Sequence, residues 1–120
     1  MSKSVLVVDD SDMMRRLIIK SLRACKADIQ VHEAKDGLDA MDKFSNATID
    51  LVVTDWNMPN MNGLELVVEI RKTNKEVPIV MVTTEGSVEK VKQAILAGAN
   101  NYIAKPFPDE SFKAKFSRIL

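Results

Sequence analysis

Short runs of continuous apolar residues alternate along this chain with longer stretches in which apolar residues recur every three or four positions. Val5 to Val8 reads as a buried strand, and Met14, Leu17, Ile18, Leu22 and Cys25 then mark one face of an amphipathic helix. Ser11 or Asp12 suits the start of that helix, where an oxygen can accept from free amides, and Arg23 and Lys26 suit its end. Ile29 to Ala34 alternates as a short strand, and Gly37 leads into a helix facing inward through Leu38, Met41 and Phe44. Leu51 to Asp55 is the third strand. A helix with Leu64, Val67, Val68 and Ile70 follows, and Pro78 opens a fourth strand, Ile79 to Val82. Val88 to Ala97 predicts a helix capped by Gly98, Asn101 to Ala104 a fifth strand, and Asp109 to Leu120 a last helix buried through Phe112, Phe116 and Ile119.

Strands of nearly continuous Val, Ile and Leu between amphipathic helices predict a doubly wound α/β fold, (βα)5, with a parallel five-stranded sheet covered on both faces. In such sheets ligands gather beyond the carboxyl ends of the strands, where the strand order reverses. The unusual polar residues fall there: Asp9 and Asp10 after the first strand, Asp55 after the third, Thr83 after the fourth, Lys105 after the fifth.

Three carboxylates at neighbouring strand ends repel one another unless something positive sits between them, and a divalent cation is the simplest remedy. Mg²⁺ takes oxygen ligands, commonly one or two carboxylates plus phosphate oxygens, and Asp10 and Asp55 suit that role. Lys105 adds a compact charge and Thr83 a hydroxyl, so a tetrahedral anion beside Asp55 would meet a metal on one side and donors on the other. Asp55 itself can act as nucleophile and become an aspartyl phosphate.

Composition narrows the setting. The 120 residues suit one domain, residues 1–120. Seventeen basic residues balance 17 acidic ones, so no nucleic-acid or membrane footprint is expected. Cys25 is the only cysteine, which excludes an internal disulfide and suits a reducing cytosol. With neither an apolar leader nor a membrane-length apolar stretch, a soluble, cytoplasmic monomer is expected.

The segments VLVVDDS, TDWNMPNMNGLEL, MVTTEG and YIAKPF resemble the four signature segments of response-regulator receiver domains, over essentially the whole chain. Within that family the chain most resembles single-domain chemotaxis regulators of the CheY type, with no output domain. The resemblance implies the flavodoxin-like, CheY-like strand order 2-1-3-4-5. It makes Asp55 the phospho-acceptor, Asp9 and Asp10 the metal-binding pair with Asp55, and the backbone carbonyl of Asn57 a further ligand to Mg²⁺, for which Mn²⁺ would substitute. It assigns Thr83 and Lys105 to the phosphoryl oxygens, Thr83 and Tyr102 to the switch, Asn57 and Glu85 to tuning of the signal's lifetime, and a cis peptide to Lys105 and Pro106, while Thr84, a departure from the pattern, is expected to tune access to the site by slowing uptake of small phosphodonors. It also implies a histidine kinase as phosphodonor and a target bound at the face of helix 4, strand 5 and helix 5, with the flagellar motor switch as leading candidate. The protein would be a switch that catalyses only its own phosphorylation and dephosphorylation.

Two features depart from the chemotaxis pattern. Thr84 stands where a small residue is common, and Ser87 and Val88 stand where enteric-type proteins carry a lysine pair, which leaves the motor partner less secure than the chemistry. A phosphorelay intermediate or phosphate sink is the second reading, and a non-phosphorylated flavodoxin-like binding module a distant third. A phosphatase resembling the haloacid-dehalogenase class would need an aspartate two places after Asp55, where Asn57 stands. A flavin carrier would need a hydroxyl- and glycine-rich loop where the chain has DDSDMM. Elsewhere, Trp56 reads as surface packing beside Asp55, His32 as an exposed edge-strand residue and Cys25 as a small core residue. Met13, Met14, Met41, Met58 and Met61 read as gap fillers or loop residues.

Overall fold

The computed structural model describes residues 2–84, 86–107 and 109–120, apart from the side chain of Asp109. Among them the chain runs β1 (Ser4–Val8), α1 (Asp12–Cys25), β2 (Gln30–Ala34), α2 (Gly37–Asn46), β3 (Leu51–Thr54), α3 (Gly63–Thr73), β4 (Ile79–Thr83), α4 (Val88–Ala97), β5 (Asn101–Ala104) and α5 (Asp109–Phe116). The strands form one parallel sheet in the order β2-β1-β3-β4-β5.

The inner strands are apolar apart from Ser4, Thr54 and Thr83 at their ends, because both faces of the sheet are covered. Successive side chains point to opposite faces. Leu6, Val8, Val52, Ile79 and Met81 pack with Ala40 of α2, Leu66, Val67 and Ile70 of α3 and Ala94 of α4. Val5, Val7, Leu51, Val53, Val80 and Val82 pack with Ile18 and Leu22 of α1 and Phe112 and Phe116 of α5. The alternation along each strand thus assigns three helices to one face and two to the other.

Helix starts are marked by side chains that accept from free amides. Ser11 Oγ accepts from Met14 N at 3.2 Å, Asp36 Oδ1 from Asp39 N at 2.8 Å and Ser87 Oγ from Lys90 N at 3.2 Å. Asn62 and Glu65 form a reciprocal capping box at α3. Gly98, at φ +124°, ends α4 where the sequence places a glycine cap.

Several apolar residues lie elsewhere than their periodicity suggests. Leu38 is 55% exposed, because the inward stripe of α2 runs through Gly37, Ala40, Met41 and Phe44, and Leu38 sits about 100° around the helix from Gly37. Val68 falls off the Leu66, Val67 and Ile70 stripe in the same way, and Leu17 is half exposed on the rim of a groove between α1 and α5. Trp56, expected at the surface, is 4% exposed and belongs to the core under α2, α3 and α4. His32, expected exposed, is half-buried on edge strand β2. The last helix stops at Phe116, whose carbonyl accepts turn bonds from Ile119 and Leu120 at 3.0 and 2.8 Å.

Candidate metal centre

β1 and β3 are neighbours, with Val8 opposite Thr54, so the residues that follow them, Asp9 and Asp55, leave the sheet side by side. The Asp55 amide donates to the Val8 carbonyl at 2.9 Å and carries the pairing one residue past the strand. The order of winding reverses at this parallel pair, because β1 leads outward to β2 on one side and β3 to β4 on the other.

Asp9 is 1% exposed and Asp55 8%, while Asp10 faces solvent. One carboxylate oxygen of each of these three residues lies within 4.8 Å of the others. Lys105 bridges the buried pair, with Nζ 2.8 Å from Asp9 Oδ2 and 3.2 Å from Asp55 Oδ2. The remaining oxygens accept backbone amides: Asp9 Oδ1 from Ser11 at 2.9 Å, Asp55 Oδ1 from Trp56 at 2.7 Å. Three carboxylates against one ammonium leave two negative charges (3 − 1), which is the charge of one divalent cation. The donors are hard oxygens, and His32 and Cys25 lie outside the cluster, so the set suits Mg²⁺ or Mn²⁺ better than a soft-ligand metal.

The other residues singled out by sequence line the same end of the sheet or its flank. Thr83, fully buried at the end of β4, accepts the Lys105 amide at its carbonyl, 2.8 Å, which draws the ends of β4 and β5 together beside the cluster. Thr84 is exposed just beyond it, and Asn57 is exposed in the loop after Asp55. Tyr102 of β5 pairs with Met81 and packs half-buried against the core under α2, α3 and α4. The Lys105–Pro106 peptide is cis. Glu85 lies outside the described residues.

Periodicity and motif spacing did not single out the residues that brace this centre. Arg15 of α1 donates from Nη1 to the Asp9 carbonyl at 2.6 Å and from Nε to Glu33 at 3.0 Å, and it also pairs with Asp12. Burial alone would lower its pKa, but the bonds to Glu33 and Asp12 raise it above the ordinary guanidinium value. Gly63, the first residue of α3, lets the chain pass against Asp55, since a Cβ there would lie 2.0 Å from the Asp55 carbonyl oxygen. Its amide donates to the Trp56 carbonyl at 2.8 Å, while the Thr54 hydroxyl donates to the Asp55 carbonyl at 2.9 Å. A glycine at a helix start is a weak sequence signal, and an arginine five residues after an acidic pair is weaker still.

Residues 5–117 match the family described as the response regulator receiver domain. The chemotaxis protein CheY1 of Helicobacter pylori strain J99 is 47% identical over 119 residues, covering 97% of this chain and 95% of that protein. The chemotaxis protein CheY homolog of Campylobacter jejuni strain 81-176 is 47% identical over 119 residues, covering 97% and 91%. Among solved structures, the chemotaxis response regulator CheY4 of Vibrio cholerae superposes with a TM-score of 0.89 at 36% identity, covering 100% of both chains.

Proposed function

The chain belongs to the response regulator receiver domain family, of the CheY chemotaxis type, and from that premise we propose that Asp55 accepts a phosphoryl group with the help of Mg²⁺. The observation that carries this reading is the geometry of Asp9, Asp10, Asp55 and Lys105 at the reversal point of the sheet.

In the proposed reaction a carboxylate oxygen of Asp55 attacks the phosphorus of a histidine kinase's phosphohistidine. A P–O bond forms, the P–N bond breaks, and the imidazole leaves with that electron pair and takes up a proton. Reset is the attack of water on the same phosphorus, which releases inorganic phosphate and restores the carboxylate. Asp9, Asp10, Asp55 and the Asn57 carbonyl would hold a divalent cation, which would supply charge neutralisation to the phosphoryl oxygens. The protein's own part is positioning. The Trp56 amide and Lys105 hold Asp55 in place before any donor arrives, and Lys105 stands 3.2 Å from the oxygen it would share with the phosphoryl group. Thr83 offers a second hydrogen-bonding group at the end of the neighbouring strand. In this proposal its movement toward the phosphoryl group is coupled to Tyr102, one strand further out, as a shift between two packings.

The readout falls on the face of α4, β5 and α5, where Val88, Ile95 and Leu96 of α4 are 70%, 46% and 87% exposed. That apolar area supports a protein target, and the chemotaxis relatives favour the flagellar motor switch. Among the described residues no helix is long and apolar enough to cross a membrane. Intact-protein mass after incubation with acetyl phosphate tests the chemistry. The native chain gains one phosphoryl group with Mg²⁺ and none with EDTA, and Asp55→Asn gains none. An adduct of equal yield on Asp55→Asn would contradict the reading.

A further inference from the structure

The Asp36 carboxylate is 4% exposed, lies outside the acidic cluster, and bonds in two directions. Oδ1 accepts from Asp39 N at 2.8 Å and caps α2; Oδ2 accepts from Asn60 Nδ2 at 2.8 Å, in the loop that follows Asp55. Capping uses one oxygen and would be served by serine. The second bond is surplus to that role and reaches across 24 residues of sequence.

Its partner is unusual too. Asn60 has φ +67°, the only positive φ among the described non-glycine residues, a conformation asparagine tolerates better than most. The next residue is held by the same turn, because the Gly37 amide donates to the Met61 carbonyl at 3.0 Å, and a Cβ on Gly37 would lie 2.5 Å from that oxygen. At its other end the loop closes through the bond from Gly63 to the Trp56 carbonyl. Asn57 lies between these anchors.

We propose that Asp36 and Asn60 form a latch that sets the backbone of residues 56–61 for metal binding, which makes Asp36 a positioning residue for a centre it does not touch. The inference rests on the receiver reading, which gives the Asn57 carbonyl its place on the metal. Without the latch the loop is ordered only when the cation binds, so the ordering cost appears as lost affinity.

Two variants isolate the bond. Asp36→Ser keeps a capping oxygen but is too short to reach Asn60, and Asn60→Gly keeps access to positive φ but removes the donor. Mg²⁺ titration followed by Trp56 fluorescence and checked by calorimetry should show about tenfold weaker binding for each, the lower end of the range for residues that orient metal ligands. The double variant should lose no more than either single one, because one bond is removed in all three. Ile70→Val, which loosens the core under α3, should lower the melting temperature and leave Mg²⁺ affinity unchanged. A native response that Asp36→Ser and Asn60→Gly leave unaltered, or losses that simply add, would overturn the latch alone. A native chain that gives no Mg²⁺ response by calorimetry would overturn the receiver reading and the latch with it.

Discussion

Lys105 and Asp9 form a buried ion pair, Nζ to Oδ2 2.8 Å, with 8% and 1% of their side chains exposed. The same ammonium also serves Asp55, so it offsets part of a repulsion that the fold itself builds by placing Asp9 and Asp55 on neighbouring strand ends. Removing one partner of a buried pair leaves the other uncompensated, at a cost of about 3–5 kcal/mol. Lys105→Met should therefore lower the thermal midpoint in EDTA. Mg²⁺ should raise that midpoint more in the variant than in the native chain, because the cation then meets three carboxylates with no ammonium among them. Equal Mg²⁺ shifts in the two proteins would show that Lys105 and the cation do not share the same charges.

Gly63 sits where the start of α3 passes the Asp55 carbonyl, and a Cβ would lie 2.0 Å from that oxygen. Gly63→Ala must push the Asp55 backbone aside, and overpacking of this kind costs about 1–3 kcal/mol. Gly86→Ala meets nothing within 4 Å and should be close to neutral. Urea denaturation of the two variants makes the comparison, and equal stabilities would mean that the close approach is relaxed without cost.

The acid limb of the stability profile should carry the signature of Asp36. The Asp39 amide, then the Asn60 side chain, hold its carboxyl below the ordinary carboxylate value, against the opposing effect of burial. A folded pKa below the unfolded one means that the unfolded chain binds the proton more readily. The stabilisation is thus fully present above the unfolded value, about pH 4, and is lost as pH falls through the lower folded value. Asp36→Ser removes this group, so its stability should fall less steeply than the native chain's below about pH 4, as read by urea midpoints across that range. Parallel acid limbs would contradict the assignment.

Thr84 is exposed immediately after the buried Thr83, and in the proposed reaction its branched side chain would narrow the approach of a small phosphodonor to Asp55. Thr84→Ala should take up phosphoryl groups from acetyl phosphate faster than the native chain, with Mg²⁺ affinity unchanged. Identical rates would remove Thr84 from the tuning residues.

The inner strands and most helix boundaries were legible because burial on two faces leaves continuous apolar runs, and because Ser11, Gly98 and Pro78 mark element ends by simple local chemistry. The acidic pair and Asp55 were legible because each follows such a run directly. The environment of Trp56 was hidden, since a loop residue carries no periodicity to say which way it turns. The bond between Asp36 and Asn60 was hidden for a related reason: it joins two loops distant in sequence that meet because the helices they enter, α2 and α3, pack on the same face of the sheet. Arg15 was lost among ordinary helix-surface cations, and only its bond to the Asp9 carbonyl sets it apart.

In the proposed reaction Asp55, and no other carboxylate, receives the phosphoryl group. Borohydride reduction of the protein after Mg²⁺-dependent phosphorylation, followed by peptide mass analysis, reads this directly, because an aspartyl phosphate is reduced to homoserine where a free carboxylate is not. Homoserine is expected at position 55 alone, dependent on Mg²⁺. Homoserine at position 9 or 10, or none in protein whose intact mass shows the phosphoryl adduct, would contradict it.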